Sequence, residues 1–300
     1  MLTVKDLIYK YLIHREIENV FSMSGANIED LLETIYQDSR IEVTIAKNEY
    51  NAIMMAIGSY LHSKKTPVVL TTSGGGLLNT LPTISEAFSS DIPLVLIAGQ
   101  IPQDKEGTGT FQDNSGKMGS LDVEKIFGPV TEYCKKVKKE DDILKILEKA
   151  FESAELTKRP SVVFIPKDLF NKKVNLNISS IKKVKKIPNN NREYKLEDLK
   201  IQTSNNLVIL GEDLNHLKDL SKVYELIEHF DSKVAVTSNA KGLYDHFSPR
   251  FVGVTGVMGH NKYFNYLKDV ETVFLIGTNW TSFDRFGSEE ILSGKNIIYI

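Results

Sequence analysis

The chain is poor in several things, and each shortage excludes something. It has one cysteine, Cys134, in 300 residues. No intramolecular disulfide framework is possible, and a reducing cytoplasm is the default setting. Cys134 lies in a strand-like run with no histidine nearby and reads as structural. Formal net charge is only −2, so no broad field argues for nucleic acid or an anionic membrane. No apolar run reaches the length of a bilayer-spanning helix. The opening segment, MLTVKDLIYKYLIHREI, carries both charge signs on an amphipathic helical pattern and is not a signal peptide. The basic run Lys182 to Lys186 has no interleaved aromatics and reads as part of a solvated linker rather than a nucleic-acid patch.

What is present is the composition of a soluble globular chain, 41% hydrophobic and 25% charged. Its length suits roughly two domains. Val4, Leu7, Ile8, Tyr11 and Leu12 form a helical stripe over Val4 to Glu16. Short apolar strands follow at Val20–Phe21, 41–46, 67–72 and 93–98, with helical segments between them. That alternation indicates βαβ units and a parallel sheet, an α/β fold whose ligands meet the chain past the carboxyl ends of the strands. Further strands are expected at Val130–Val137 and Ser161–Pro166, with a helix over Asp141–Leu156. Residues 171–196, rich in Lys and Asn, read as a linker. A second α/β unit then opens with Leu207–Leu210, a helix over Leu217–Phe230 and strands at Val234–Val236 and Val273–Ile276. The closing run Asn296–Ile300 reads as a core strand with nothing behind it, the pattern of a longer polypeptide.

Two features stand at strand ends in the first unit. Glu49 is an acid where strand becomes helix, flanked by apolar residues. There a carboxyl group would be partly desolvated and suited to share a proton with a ligand nitrogen. An acid placed simply to meet the helix dipole is the alternative. Ser73-Gly74-Gly75-Gly76 is a glycine turn opening a helix near Leu77. It is no phosphate-binding P-loop, because Leu77-Leu78-Asn79 stands where Gly-Lys-Ser/Thr would be, and it lacks the G-x-G-x-x-G spacing of dinucleotide sites. An earlier turn, Ser22 to Ala26, contains Gly25, which serves a positive φ, a close ligand approach or an ordinary tight turn. Asn27 is expected to cap the helix Asn27–Tyr36. Residues 103–119 form a long polar loop, of a length that marks function or mobility; its Lys117 and Asp113 are expected to be solvated.

Taken in order, Glu49, Lys65-Thr66-Pro67, Thr72-Ser73-Gly74-Gly75-Gly76 with Asn79, Asp91-Ile92-Pro93 and Gly99-Gln100-Ile101-Pro102 resemble the pyrimidine-binding domain of thiamine-diphosphate enzymes of the acetolactate synthase and 2-oxo acid decarboxylase group. Phe111-Gln112-Asp113 is similar to that family's loop ending in Phe-Gln-Glu. Phe251 to Gly256, Gly259-His260 and Gly277 to Arg285 are similar to its central domain. The resemblance implies a pyrimidine-binding domain over 1–170, the linker 171–196 and a Rossmann-like central domain over 197–300, incomplete at its C-terminus.

It further implies a carboligase or decarboxylase acting on a 2-oxo acid. Glu49 would activate the cofactor's pyrimidine, with Gly25, Ser73, Gly76 and Asn79 lining the ring and Phe111 and Gln112 facing substrate. For Phe111, a surface aromatic anchor is the alternative. The site would form between subunits of a homodimer or homotetramer. The family's motif of Gly-Asp-Gly followed later by Asn-Asn, which holds Mg2+ and the diphosphate, does not occur in these residues, which contain no Gly-Asp-Gly, and would lie elsewhere in a longer or split enzyme. A non-catalytic or regulatory relative is the rival reading. FAD, held by the central domain in acetolactate synthases, is not expected here, because Glu212 and Asp213 would repel its pyrophosphate. His260 and Trp280 read as packing residues. Where acetolactate synthases show Thr-Lys and an aromatic or His, this chain has Thr131-Glu132-Tyr133, which leaves the substrate open.

Overall fold

The computed structural model describes residues 2–174 and 205–300. The chain divides into two compact units, Met1–Pro188 and Asn189–Ile300. Lys182 to Lys186 and most of the expected linker lie outside the described residues.

The first unit begins with β1 (Leu2–Thr3) and α1 (Val4–His14). Thr3 and Asp6 close a capping box: the Asp6 carboxylate accepts from the Thr3 N–H at 2.9 Å, and Thr3 Oγ1 accepts from the Asp6 N–H at 3.4 Å. The stripe expected of this helix is buried throughout. There follow β2 (Asn19–Ser22), α2 (Glu29–Tyr36), β3 (Glu42–Ile45), α3 (Glu49–Ser63), β4 (Val68–Thr71), α4 (Gly75–Leu78), α5 (Leu81–Ser89) and β5 (Val95–Gln100). The unit continues through α6 (Val123–Phe127), β6 (Tyr133–Lys136), α7 (Ile143–Thr157), β7 (Ser161–Pro166), α8 (Lys167–Phe170) and β8 (Lys173–Val174). Six strands form one parallel sheet in the order β3-β2-β4-β5-β7-β6, and β1 pairs antiparallel with β8.

The central strands are apolar at consecutive positions because both of their faces are covered. Val68, Leu70, Val95, Ile97, Val163 and Ile165 pack with α1, α2 and α7 on one side. Val69, Leu96, Ala98, Val162 and Phe164 pack with α3, α5 and α6 on the other. The strand order reverses between β2 and β4, which brings the turns after both strands side by side at the carboxyl edge.

Several boundaries differ from expectation for local reasons. The helix expected near Leu77 is two helices. Gly75 and Gly76 already belong to the first, and Pro82, which has no N–H to donate, sits at the start of the second. The expected strand Val130–Val137 shortens to Tyr133–Lys136, because Gly128–Val130, with Pro129, turns as a 3-10 helix. The helix α2 starts at Glu29, and Ile28 at its cap position makes no side-chain cap; Asn27 is therefore not the cap.

The second unit contains β9 (Asn206–Leu210), α9 (Ser221–His229), β10 (Lys233–Val236), β11 (Phe251–Val254), α10 (Asn261–Asp269), β12 (Thr272–Ile276), α11 (Ser282–Arg285), α12 (Glu289–Leu292) and β13 (Asn296–Tyr299). Its five-stranded sheet is parallel, in the order β11-β10-β9-β12-β13. The helix expected from Leu217 starts only at Ser221, after a 3-10 turn over Glu212–His216. The closing strand pairs with β12, with Ile297 and Ile298 half-buried against the two cores and Asn296 and Tyr299 exposed. Among the described residues no helix is long and apolar enough to cross a membrane.

Candidate active site

Glu49 is the first residue of α3. Asn48 caps that helix, its side-chain oxygen accepting from the Asn51 N–H at 2.8 Å. The Glu49 side chain leans toward the glycine turn after β4. Asn79 Nδ2 donates to Glu49 Oε2 at 3.1 Å. A Cβ at position 76 would stand 2.6 Å from Glu49 Oε1 and 3.0 Å from Thr72 Cγ2. Gly76 is therefore glycine because the carboxylate lies over its backbone. The acid is half-exposed and partnered by Asn79. Its Oε1 accepts from no described residue.

The rest of the turn is fixed from beneath. Gly74 adopts φ +68°, a conformation open to glycine, and its N–H donates to Asn114 Oδ1 at 2.5 Å. Ser73 is fully buried and accepts from Asn27 Nδ2 at 2.7 Å. The same amide nitrogen reaches Gln112 Oε1 at 3.4 Å, and the Asn27 N–H donates to Thr72 Oγ1 at 3.2 Å. Gly25 does not adopt a positive φ. Its reason is a close approach within the protein, since a Cβ there would meet Thr72 Cβ at 2.5 Å.

The fold thus gathers Glu49, Ser73, Gly76, Asn79, Gly25 and Gln112 at one carboxyl edge. Phe111 is next to Gln112 but 84% exposed, with no described packing. Gln112 is half-buried and left-handed at φ +64°, a strained conformation for a residue with a side chain. Sequence reasoning missed Asn27, taken for a cap, and also Thr72 and Asn114. Only the polar character of Asn114, in a loop already suspected of function, could have pointed to it.

The loop is also held by ion pairs. Glu106, whose side chain is 8% exposed, bridges Lys117 at 2.8 Å and Lys136 of β6. Burial pushes the Glu106 carboxyl up, and the hydrogen bonds from Lys117 and Lys136 outweigh it, leaving it below the usual range. Asp113 was expected to be solvated. Instead it accepts from the Gly107 and Ser115 N–H groups, each at 2.8 Å. Those bonds outweigh its burial and hold its carboxyl below the usual carboxylate pKa. Lys117 is exposed, as expected, and its ammonium pairs with Glu106. Glu132 is exposed at the start of β6, its N–H donating to the Pro160 carbonyl at 2.8 Å, and the structure gives it no contact with the site. Burial pushes the Cys134 thiol up to about 12, as suits a structural cysteine.

A model of the N-terminal TPP-binding domain of thiamine pyrophosphate enzymes matches residues 2–120, and a model of their central domain matches residues 201–300. The chain belongs to the thiamine pyrophosphate enzymes. Within this family it is similar to the large subunit of acetolactate synthase isozyme 3 from Escherichia coli (strain K12), with 31% identity over 172 residues, 57% of this chain and 29% of that protein. Acetolactate synthase of Arthrospira platensis is 23% identical over 299 residues, covering 95% of this chain and 50% of that protein. The acetolactate synthase large subunit of Lactococcus lactis is 25% identical over 301 residues, covering 98% and 50%. The chain therefore spans half or less of the length of these relatives.

In the second unit of this family member, the switch point between β9 and β12 is closely packed. A Cβ on Gly211 would meet Thr278 Cβ at 2.2 Å and the Gly277 carbonyl at 2.3 Å. Glu212 accepts there from Thr237 Oγ1 at 3.1 Å and from the Asn279 N–H at 3.3 Å. Trp280 is buried, and His260 lies exposed at the start of α10, its side chain close to Gly253.

Proposed function

We propose that this chain supplies the pyrimidine side of the thiamine-diphosphate site in an acetolactate synthase-like carboligase or decarboxylase acting on a 2-oxo acid. One observation carries the reading: the half-exposed carboxylate of Glu49, oriented by Asn79, lies over the Cβ-free backbone of Gly76 with Oε1 free to accept. A flat, nitrogen-bearing ring fits that arrangement, since an acceptor oxygen and an unobstructed glycine backbone lie on one side of it. Thiamine diphosphate, when bound, supplies an electron sink for bond cleavage beside a carbonyl. Glu49 holds and exchanges a proton at Oε1, and Asn79 keeps the carboxylate from rotating out. Ser73 and Gly76 shape the turn against the ring. Gln112 presents a side-chain amide to the 2-oxo acid, and the exposed Phe111 beside it faces the same substrate.

In this reading residues 1–170 are the pyrimidine-binding domain, 171–196 the linker and 197–300 the central domain. The diphosphate and Mg2+ are held by a further domain, in the same polypeptide or a separate one. FAD is not part of the site, because Glu212, just past β9, adds negative charge there and already takes the donors past β10 and β12. The outer face of α3 exposes Tyr50, Met54, Met55 and Leu61. That apolar surface supports a homodimer or homotetramer with the site at a subunit boundary. The partnered, oriented state of Glu49 favours an enzyme over a non-catalytic relative.

The test is Glu49→Gln in the assembled enzyme. Carbon dioxide release from 2-oxo acids should fall by about 10²- to 10⁴-fold, the usual contribution of a positioned acid–base group. Unchanged release would discard the mechanism.

A further inference from the structure

The glycine turn and the loop that carries Gln112 are distant in sequence but share one set of contacts. Asn114, 4% exposed, accepts from the Gly74 N–H at 2.5 Å. Asn27, 7% exposed, bridges Ser73 and Gln112 through a single amide nitrogen. Gln112 packs so tightly on Gly74 that a Cβ there would stand 2.6 Å from Gln112 Cγ. Both partners are conformationally unusual, Gly74 at φ +68° and Gln112 at φ +64°. Gly74 adopts its positive φ freely, whereas the left-handed conformation of Gln112, which carries a side chain, persists only while its surroundings enforce it. What enforces it here is the other partner, together with two buried asparagine side chains.

We propose that Asn27 and Asn114 are positioning residues that join the turn and the loop into one cooperative element, so that the two order and release together. The consequence for chemistry rests on the reading of the site given above. The Gln112 carbonyl oxygen is taken by Asn27, and its amide nitrogen donates to no described residue. Gln112 is thereby set as a hydrogen-bond donor, matched to a carboxylate or carbonyl acceptor. Because Asn114 also fixes the backbone that runs on to Gly76, release of the loop would loosen the support beneath Glu49. Loop order and carboxylate placement are then a single equilibrium.

The experiment is amide hydrogen exchange on the full 300-residue chain without cofactor, comparing the wild type with Asn114→Ala, Asn114→Asp and Asn27→Ala. Segments 73–80 and 103–122 report the element, and segments 93–100 and 161–166 serve as core references. Asn114→Ala should accelerate exchange in both reporting segments by roughly tenfold, the effect of one buried hydrogen bond, with the references unchanged. Asn114→Asp keeps an acceptor oxygen in place and should return both segments close to wild-type rates. Asn27→Ala should accelerate both segments by a smaller factor, because its bond to Gln112 is long. If Asn114→Ala loses protection everywhere through misfolding, the Asp and Asn27 variants decide the matter. Acceleration of the loop alone, or an Asp variant that exchanges as fast as the Ala variant, would overturn the coupling. This readout needs no cofactor. A chain with coupled exchange whose assembled enzyme ignores thiamine diphosphate would refute the function and leave the coupling standing.

Discussion

Gly76→Ala separates the site from the fold. The position lies in the first turn of α4 and its φ is not in the left-handed region, so the backbone accepts alanine. Helix propensity alone would favour the substitution by about 0.5–1 kcal/mol. Against this, the new methyl would stand 2.6 Å from Glu49 Oε1 and 3.0 Å from Thr72 Cγ2. The carboxylate is the far end of a half-exposed, flexible side chain and can swing away cheaply. Doing so breaks the Asn79–Glu49 hydrogen bond, worth about 1 kcal/mol at a half-exposed site. Thr72 is buried, and a few tenths of an ångström of adjustment there costs a similar amount. Gains and losses nearly cancel, so net stability should change by less than about 1 kcal/mol and the melting temperature by only a few degrees. Activity should not be spared. On the role proposed for Glu49, a carboxylate displaced by an ångström or more is out of position, and a loss of about 10²-fold is expected. The assay pairs thermal unfolding of the chain with carbon dioxide release from 2-oxo acids by the assembled enzyme. Full activity with the methyl in place would show that the Glu49 carboxylate does not work where it lies. A loss above about 3 kcal/mol would show that Gly76 serves the fold instead.

Gly99→Ala should do the reverse, because its Cβ would stand 1.8 Å from the Asn27 backbone carbonyl oxygen, which cannot swing aside; chemical denaturation should show a loss of about 3 kcal/mol or more. Glu106→Gln removes the charge shared by Lys117 and Lys136, and should cost about 2 kcal/mol at neutral pH with faster proteolysis of the 103–122 loop. The wild-type contribution of Glu106 has a defined sign with pH. Its folded-state value lies below the ordinary 4.5, so the stabilisation is full above that pH and is lost as pH falls through the lowered folded value. Acid unfolding of the Gln variant should accordingly be flatter below pH 4.5 than that of the wild type. Cys134, its thiol pushed up to about 12, should resist alkylation at pH 8 in the folded chain and react readily in denaturant. Phe151→Ala should cost about 3–5 kcal/mol, since this ring is fully buried, meets Tyr11 edge-on at 5.7 Å and lies under the Arg15 guanidinium.

Much of this protein was decided by the residue pattern alone. Short apolar runs at 68–70, 95–98 and 162–165, alternating with segments of helical period, indicate strands covered on both faces in a parallel sheet. The stripe Val4, Leu7, Ile8, Tyr11, Leu12 fixed the first helix for the same reason: its spacing leaves one face that must leave water. Glu49 and the glycine turn stood out from the apolar segments around them, but a role for them beside a cofactor ring was implied only by the resemblance to thiamine-diphosphate enzymes. Tertiary structure decided which polar groups meet. Nothing in the sequence near Asn27 distinguishes a helix cap from a side chain reaching Ser73, 46 positions away, because both uses draw on the same short amide. Gly76 and Gly25 likewise read as turn residues, yet each is glycine because another segment's side chain lies where its Cβ would be. Such steric exclusions arise only when strands distant in sequence become neighbours. The sheet could therefore be written down from periodicity, whereas the site, which depends on contacts 30 to 85 residues apart, waited for the fold to close.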